Sequence, residues 1–252
     1  MKNDQSGVIK QPVDIGNIDK LLDYCDKLKT SELTPFKKKE DIALVLTWAA
    51  QNNLPLVTAL GHIVVINGKV AIDTHISRAL LQRAGITSRT TEDFKPLYQY
   101  QTQGGILTQD DIDSDPTAYK IYPNQTVLDA AVKSEKVKAG VTDDGKVACL
   151  RSKNPVDYRT TVILSRRIPK VEDGFEVIEE KSQFTWSDAI RAGLHEKDNY
   201  VKWPKQMLWA RSYSIASARI GADMLMGAVH KYDMPEYDGP PPETEDIPYE
   251  DA

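Results

Sequence analysis

The stretch HIVVINGKVAID, residues 62–73, decides how this sequence folds. Asn67-Gly68 stands between two β-branched runs, and that dipeptide tolerates positive φ at both central turn positions, as a two-residue hairpin requires. The residues that follow, DTHISRALLQRAG (73–85), place Ile76, Ala79 and Leu80 at helical spacing, with Asp73 or Thr74 as cap and Gly85 as stop. Two helical patterns precede the hairpin. NIDKLLDYCDKLKTSEL (17–33) aligns Ile18, Leu21, Leu22, Cys25 and Leu28 behind an Asn17 cap, and KKKEDIALVLTWAAQNNL (37–54) aligns Ile42, Val45, Leu46 and Ala49 before Pro55 ends it.

Beyond the hairpin the order changes. Residues 86–125 are polar and rich in turns, with QTQGG and DDIDSDP, and read as a long insertion or mobile loop. TVLDAAVKSEKVKAG (126–140) reads as a short helix. Three strand-like runs follow: GKVACLRS (145–152), DYRTTVILSRRI (157–168) and FEVIEEKSQF (175–184), the last two flanking the turn PKVEDG. TWSDAIRAGL starts a helix near Ser187 that stops at Gly193, and a long helix runs from Pro204 to about Val229. The expected fold is therefore α+β, an antiparallel sheet and hairpin packed with several helices, and not a βαβ repeat. The expected organisation is a leader and helix over 1–34, a core over 35–232, and a disordered acidic tail over 233–252.

Charge supports that last division. The formal net charge is −5, yet residues 233–252 carry eight acids and no Lys or Arg; without them the chain is +3. A proline-rich acidic end with little apolar content cannot bury enough surface to fold. It serves either to solubilise the chain or to mimic a nucleic-acid backbone and dock a partner. No apolar run approaches the ~18 residues of a membrane span, and MKNDQSGVIKQPVD lacks the apolar core of a signal peptide. A cytoplasmic location and two reduced cysteines, Cys25 and Cys149, are expected.

The chemistry of most enzyme classes is missing. GHIVVINGKV has the wrong glycine spacing for a phosphate loop, and Val70 stands where a hydroxyl would meet magnesium. His62, His75, His195 and His230 lack metal-ligand spacing. Asp111, Asp113 and Asp115 have calcium-loop spacing, but Pro116 replaces the needed glycine and Tyr122 the closing glutamate. No catalytic residue, metal site or cofactor is expected; magnesium enters only as a modulator without a dedicated site. The enzymatic alternative is a metal-dependent nuclease on Asp110, Asp111 and Asp113.

A sequence-independent binder of single strands needs cations along a groove. Alternation along residues 157–168 puts Arg159 and Arg167 on one strand face with Thr161, Ile163 and Ser165, and Arg166 on the other. These are phosphate contacts or the charged ends of an ordinary strand. In KWPKQMLWARSYSIASARIGADMLMG (202–227), Lys202 and Lys205 sit near Trp203 and Trp209, and Arg211 and Arg219 share one half of a helix. The small residues between them allow close approach of a phosphate chain or of a neighbouring backbone.

Three blocks give this pattern a family context: ALGHIVVINGKVAIDTHISRALLQRAG (59–85), FTWSDAIRAGLHEKDNYVKWPKQMLWARSYSIASARIGADMLMGAVH (184–230) and, more loosely, DIALVLTWAAQNNLPLVTAL (41–60). In that order they resemble phage recombination proteins of the RecT/Redβ single-strand annealing class. Ala222 stands where that pattern often has a proline, and residues 86–183 match none of it. The resemblance implies ATP-independent binding and annealing of single-stranded DNA, through an annealed duplex intermediate, by a ring or helical filament of identical subunits. It implies a phage- or prophage-encoded protein in a bacterial host, with an exonuclease or single-strand binding protein as partner. Carried over by position, Lys69, Arg78, Arg83, Lys202, Lys205, Arg211 and Arg219 become candidates for phosphate contact or structural pairing, with Trp186 and Trp203 as core anchors. The alternative is a phage interaction module that recruits partners through its acidic tail without binding DNA.

Overall fold

The computed structural model describes residues 17–30, 34–170 and 174–234; the expected leader, the middle of the PKVEDG turn and the acidic tail beyond Met234 lie outside these. The chain begins with α1 (Ile18–Leu28), capped by the Asn17 side chain on Lys20 N, and α2 (Lys39–Gln51). Pro55 does not simply end α2: it caps a further helix, α3 (Leu56–His62), which leads into the hairpin. That hairpin is β1 (Ile63–Ile66) and β2 (Lys69–Ile72), with Asn67 and Gly68 at φ 52° and 74°, as the dipeptide demands. Helix α4 (Thr74–Arg83) starts at Asp73, whose carboxylate accepts from Ile76 N.

The polar stretch after Gly85 corrects the sequence reading. Its first part is a twelve-residue strand, β3 (Ile86–Leu97). Thr-rich sequence suits a pleated, half-buried surface, but two register shifts against the neighbouring strand break the alternation that would have marked it. The chain then builds a separate small sheet from β4 (Tyr100–Thr102), β5 (Gly105–Leu107), β6 (Tyr119–Tyr122), β7 (Val137–Lys138), β8 (Val141–Thr142) and β9 (Val147–Arg151). Helix α5 (Gln109–Ser114) and helix α6 (Gln125–Lys133) lie between its strands. Residues 98–156 are thus an ordered insertion with small apolar clusters around Tyr100, Ile112 and Cys149 and around Tyr122, Val137 and Ala148.

The chain returns as β10 (Asp157–Pro169) and β11 (Phe175–Thr185), giving an antiparallel sheet of order β11-β10-β3. Thr185 then caps α7 (Trp186–Arg191), followed by α8 (Asp198–Lys202) and α9 (Pro204–Ile220). Val162 and Leu164 of β10 and Tyr213, Ala216 and Ile220 of α9 join α1, α2, the hairpin and α4 in the main core. A second core around Phe184, Tyr200, Met207 and Leu208 binds α7 and α8 to α9. The fold is α+β with antiparallel sheets, as the element order implied.

The last helix is shorter than its sequence suggests. It stops at Gly221, a short α10 (Ala222–Leu225) follows, and β12 (Val229–His230) joins the hairpin sheet in parallel with β2. Two contacts explain the stop. Arg166 Nη1 donates to the freed Ile220 carbonyl at 3.1 Å, and Gly221 lies directly against Leu81. A methyl on Gly221 would overlap Leu81 Cδ2 and meet Ser217 O at 3.3 Å. Gly221→Ala is expected to destabilise the protein by about 1–3 kcal/mol, read as a lower urea midpoint with an unchanged slope.

Candidate nucleic-acid interface

The small residues of α9 serve the protein's own backbone. Ser212 Oγ donates to Thr160 O at 2.9 Å, tying the helix to β10, and Ser217 Oγ lies 2.8 Å from His230 Nε2. The same imidazole nitrogen is 3.3 Å from Ser77 Oγ on α4. His230 is buried, and burial pushes its pKa down. On either side of it, Lys231 reaches Asp73 at 3.6 Å, while Asp233 pairs with Arg211 and accepts from Ser214. Residues 229–233 therefore form a polar seam between α4, β2 and α9. Asp233, grouped with the acidic tail in the sequence, belongs to the fold.

Most of the ten candidate cations are already engaged. Arg159 is the clearest correction: its side chain is only 7% exposed, and it donates to Glu92 Oε2 at 2.7 Å and to Asp110 on α5. Alternation does put it on the sheet face away from α9, but the insertion covers that end of the face, and Thr161 beside it is buried as well. Arg166 forms a two-pronged pair with Asp223 at 2.9 and 2.7 Å. Lys202 pairs with Asp198 at 2.6 Å, Lys205 with Asp93 at 2.8 Å, Arg219 with Glu180 at 2.7 Å, and Arg211 with Asp233 as above. The sequence suggested Asp223 as the partner of Arg219; the sheet brings Glu180 instead.

Four candidates have no carboxylate partner among the described residues: Lys69, Arg78, Arg83 and Arg167. Arg78 is half-buried, with Nε lacking a hydrogen-bond partner. Arg83 is exposed at the end of α4 and donates to Asn52 O at 3.1 Å, closing the C-terminus of α2. Lys69 is exposed at the hairpin turn and Arg167 on the outer face of β10. They come from the hairpin turn, from α4 and from the outer face of β10. What the sheet adds is a row that composition alone could not reveal: Ile163 pairs across β10 with Lys181 on one side and Arg89 on the other. Both cations are exposed, and Arg89 shares Glu179 with Ser165. This outer face, from Ile163 to Arg167, is the part of the sheet that the insertion leaves open.

The covered end is built around Glu92. Two bulges in β3 let Glu92 turn to the outer face while Asp93 reaches Lys205. Phe94 stands between them and the next strand at φ 51°, stacked on Tyr158 at 4.4 Å. Burial would raise the Glu92 carboxyl, but hydrogen bonds from Arg159, Thr161 and Lys95 outweigh it and hold the pKa down to about 2. Lys95 also bonds Asp113 at 2.8 Å, Asp111 is taken by the Thr108 cap, and Asp110 by Arg159. The three carboxylates of the nuclease alternative are thus committed to structure, and no group of His, Cys, Asp and Glu that could hold a metal ion occurs among the described residues. Trp186 packs against the second core, but Trp203 is exposed and carries the Lys202 ammonium 5.9 Å above its ring. No described helix is long and apolar enough to cross a membrane.

No family model matches the chain, and no curated protein or solved structure matches it.

The depressed Glu92 carboxyl links stability to pH. A carboxyl whose pKa is lower folded than unfolded stabilises the protein above its ordinary range, and that contribution is lost as pH falls. The loss should fall between about pH 4.3 and about pH 2. Glu92→Gln should flatten this acid limb and lower stability at neutral pH by on the order of 3 kcal/mol, measured by urea unfolding across pH.

Proposed function

We propose that this chain binds single-stranded DNA without ATP and anneals complementary strands as an oligomer, in the manner of RecT/Redβ recombination proteins. One observation carries the reading. The two blocks that most resemble that family, 59–85 and 184–230, are far apart in the chain but pack into one body. They meet through the pairing of β12 with β2 and through Ser77, His230 and Ser217. A chance likeness in two unrelated segments offers no reason for them to share a core.

The phosphate-contacting set is smaller than the sequence suggested. Lys69, Arg83 and Arg167 contribute the most, joined by Lys181 on the open sheet face. The six paired candidates chiefly shape the protein. Magnesium acts by screening phosphate and needs no dedicated site. The acidic segment after Met234 is the place for an exonuclease or a single-strand binding protein to dock, inside a bacterial cell that carries the phage gene.

A second reading, an interaction module that does not touch DNA, draws on the neutralisation of six candidate cations by internal carboxylates. Fluorescence anisotropy and annealing with two complementary oligonucleotides separate the two. DNA annealing predicts binding that weakens with salt, strand pairing without nucleotide, and a mass well above 28.2 kDa; absence of binding even at low salt would contradict it. Lys69→Ala with Arg167→Ala should lower the slope of log affinity against log salt by about 1.4, at ~0.7 per phosphate contact on single strands. Truncation belongs after Met234, because Asp233 is needed by Arg211 and Ser214.

A further inference from the structure

A cleft of about 320 Å³ opens where the C-terminal ends of α2 and α4 meet α10. Its walls combine three kinds of chemistry. Met224 and Met226 supply thioether faces, and Met226 is 52% exposed. Gln51 and Asn53 supply carboxamides that make no side-chain hydrogen bond among the described residues. Arg83 supplies a guanidinium with only Nη1 engaged, on Asn52 O. Asp223 closes one side, its carboxylate fixed by Arg166.

Asn53 at φ 52° and Met226 at φ 48° are the left-handed residues that end α2 and α10, and both line the cleft. The volume is that of a small ligand site. Thioethers favour contact with flat aromatic rings, and carboxamides can donate or accept according to what the ring edge offers.

We infer that this cleft seats one nucleobase of the bound strand, with Met224 and Met226 against the ring, Gln51 and Asn53 on its edge, and Arg83 on the adjoining phosphate. The inference rests on the strand-binding reading and deepens it: one base in each subunit is held by shape and stacking while its neighbours stay available for pairing. Because both carboxamides can present either a donor or an acceptor, the site tolerates any base.

The test uses the full chain labelled with ¹³C at the methionine methyl groups, five in number. It is titrated with an oligodeoxyadenylate and with an abasic oligonucleotide of equal length, while anisotropy reports binding separately. Ring currents from a seated adenine should move the Met224 and Met226 signals upfield and leave that of buried Met207 in place; the abasic strand should bind without moving them. Met226→Ala should remove one shifted signal and weaken the adenine strand about fivefold, with affinity for the abasic strand unchanged. If anisotropy reports binding but both signals stay put, the cleft assignment is wrong and strand binding survives. If neither oligonucleotide binds, the strand-binding reading fails and the cleft assignment fails with it.

Discussion

A neutral imidazole sealed between two serines is the constraint on which this structure turns. His230 lies between Ser77 of α4 and Ser217 of α9, so one ring joins the first helix after the hairpin to the helix that covers the large sheet. A charged ring there would have lost its water, and burial accordingly lowers its pKa. The neutral state is therefore part of the fold, and acidification below the ordinary histidine range weakens the seam. Its neighbours share the work: Val229 and His230 extend the hairpin sheet, Lys231 reaches Asp73, and Asp233 reaches Arg211.

Sequence made the local elements plain wherever one residue type has one backbone consequence. Asn67-Gly68 specified the turn, Asp73 and Asn17 their caps, and β10 and β11 their alternation. It was less clear where tertiary contact overrides local preference. The end of α9 is set by Gly221 against Leu81 and by Arg166 from another strand, neither of which a helical pattern can register. The strand β3 was hidden because its bulges break period two and because its positions opposite buried Leu164 and Val162 are the polar Ser88 and Thr90, the latter accepting from Trp209 Nε1. The cleft was invisible, since Asn53, Arg83 and Met226 come from three separate segments.

The candidate site was the least legible part, for an electrostatic reason. Arginines and lysines in a sequence carry no mark of their partners. Here Glu92, Asp93, Asp110, Glu180, Asp223 and Asp233 arrive from elsewhere in the chain and claim five of the cations, while Asp198 holds Lys202 from one helical turn away. An exposed pair of this kind adds little stability, but the Arg159 cluster is different. Arg159 and Glu92 are mostly buried, and Asp110 closes the cluster at its exposed end, so three elements meet there and the insertion is tied to the sheet. The charge left for a phosphate polymer sits at the hairpin turn, at the end of α4 and on the open part of β10. Two of these places lie within the block 59–85, and the third is on the strand that packs against α9.

The central claim is that those two blocks work as one strand-holding body, and hydrogen exchange of the full chain with and without a saturating oligonucleotide tests it most directly. The account predicts that amide exchange slows together in peptides spanning 63–85 and 215–230, with residues 110–140 of the insertion unaffected. Slowing confined to the insertion, or to one block without the other, would contradict it.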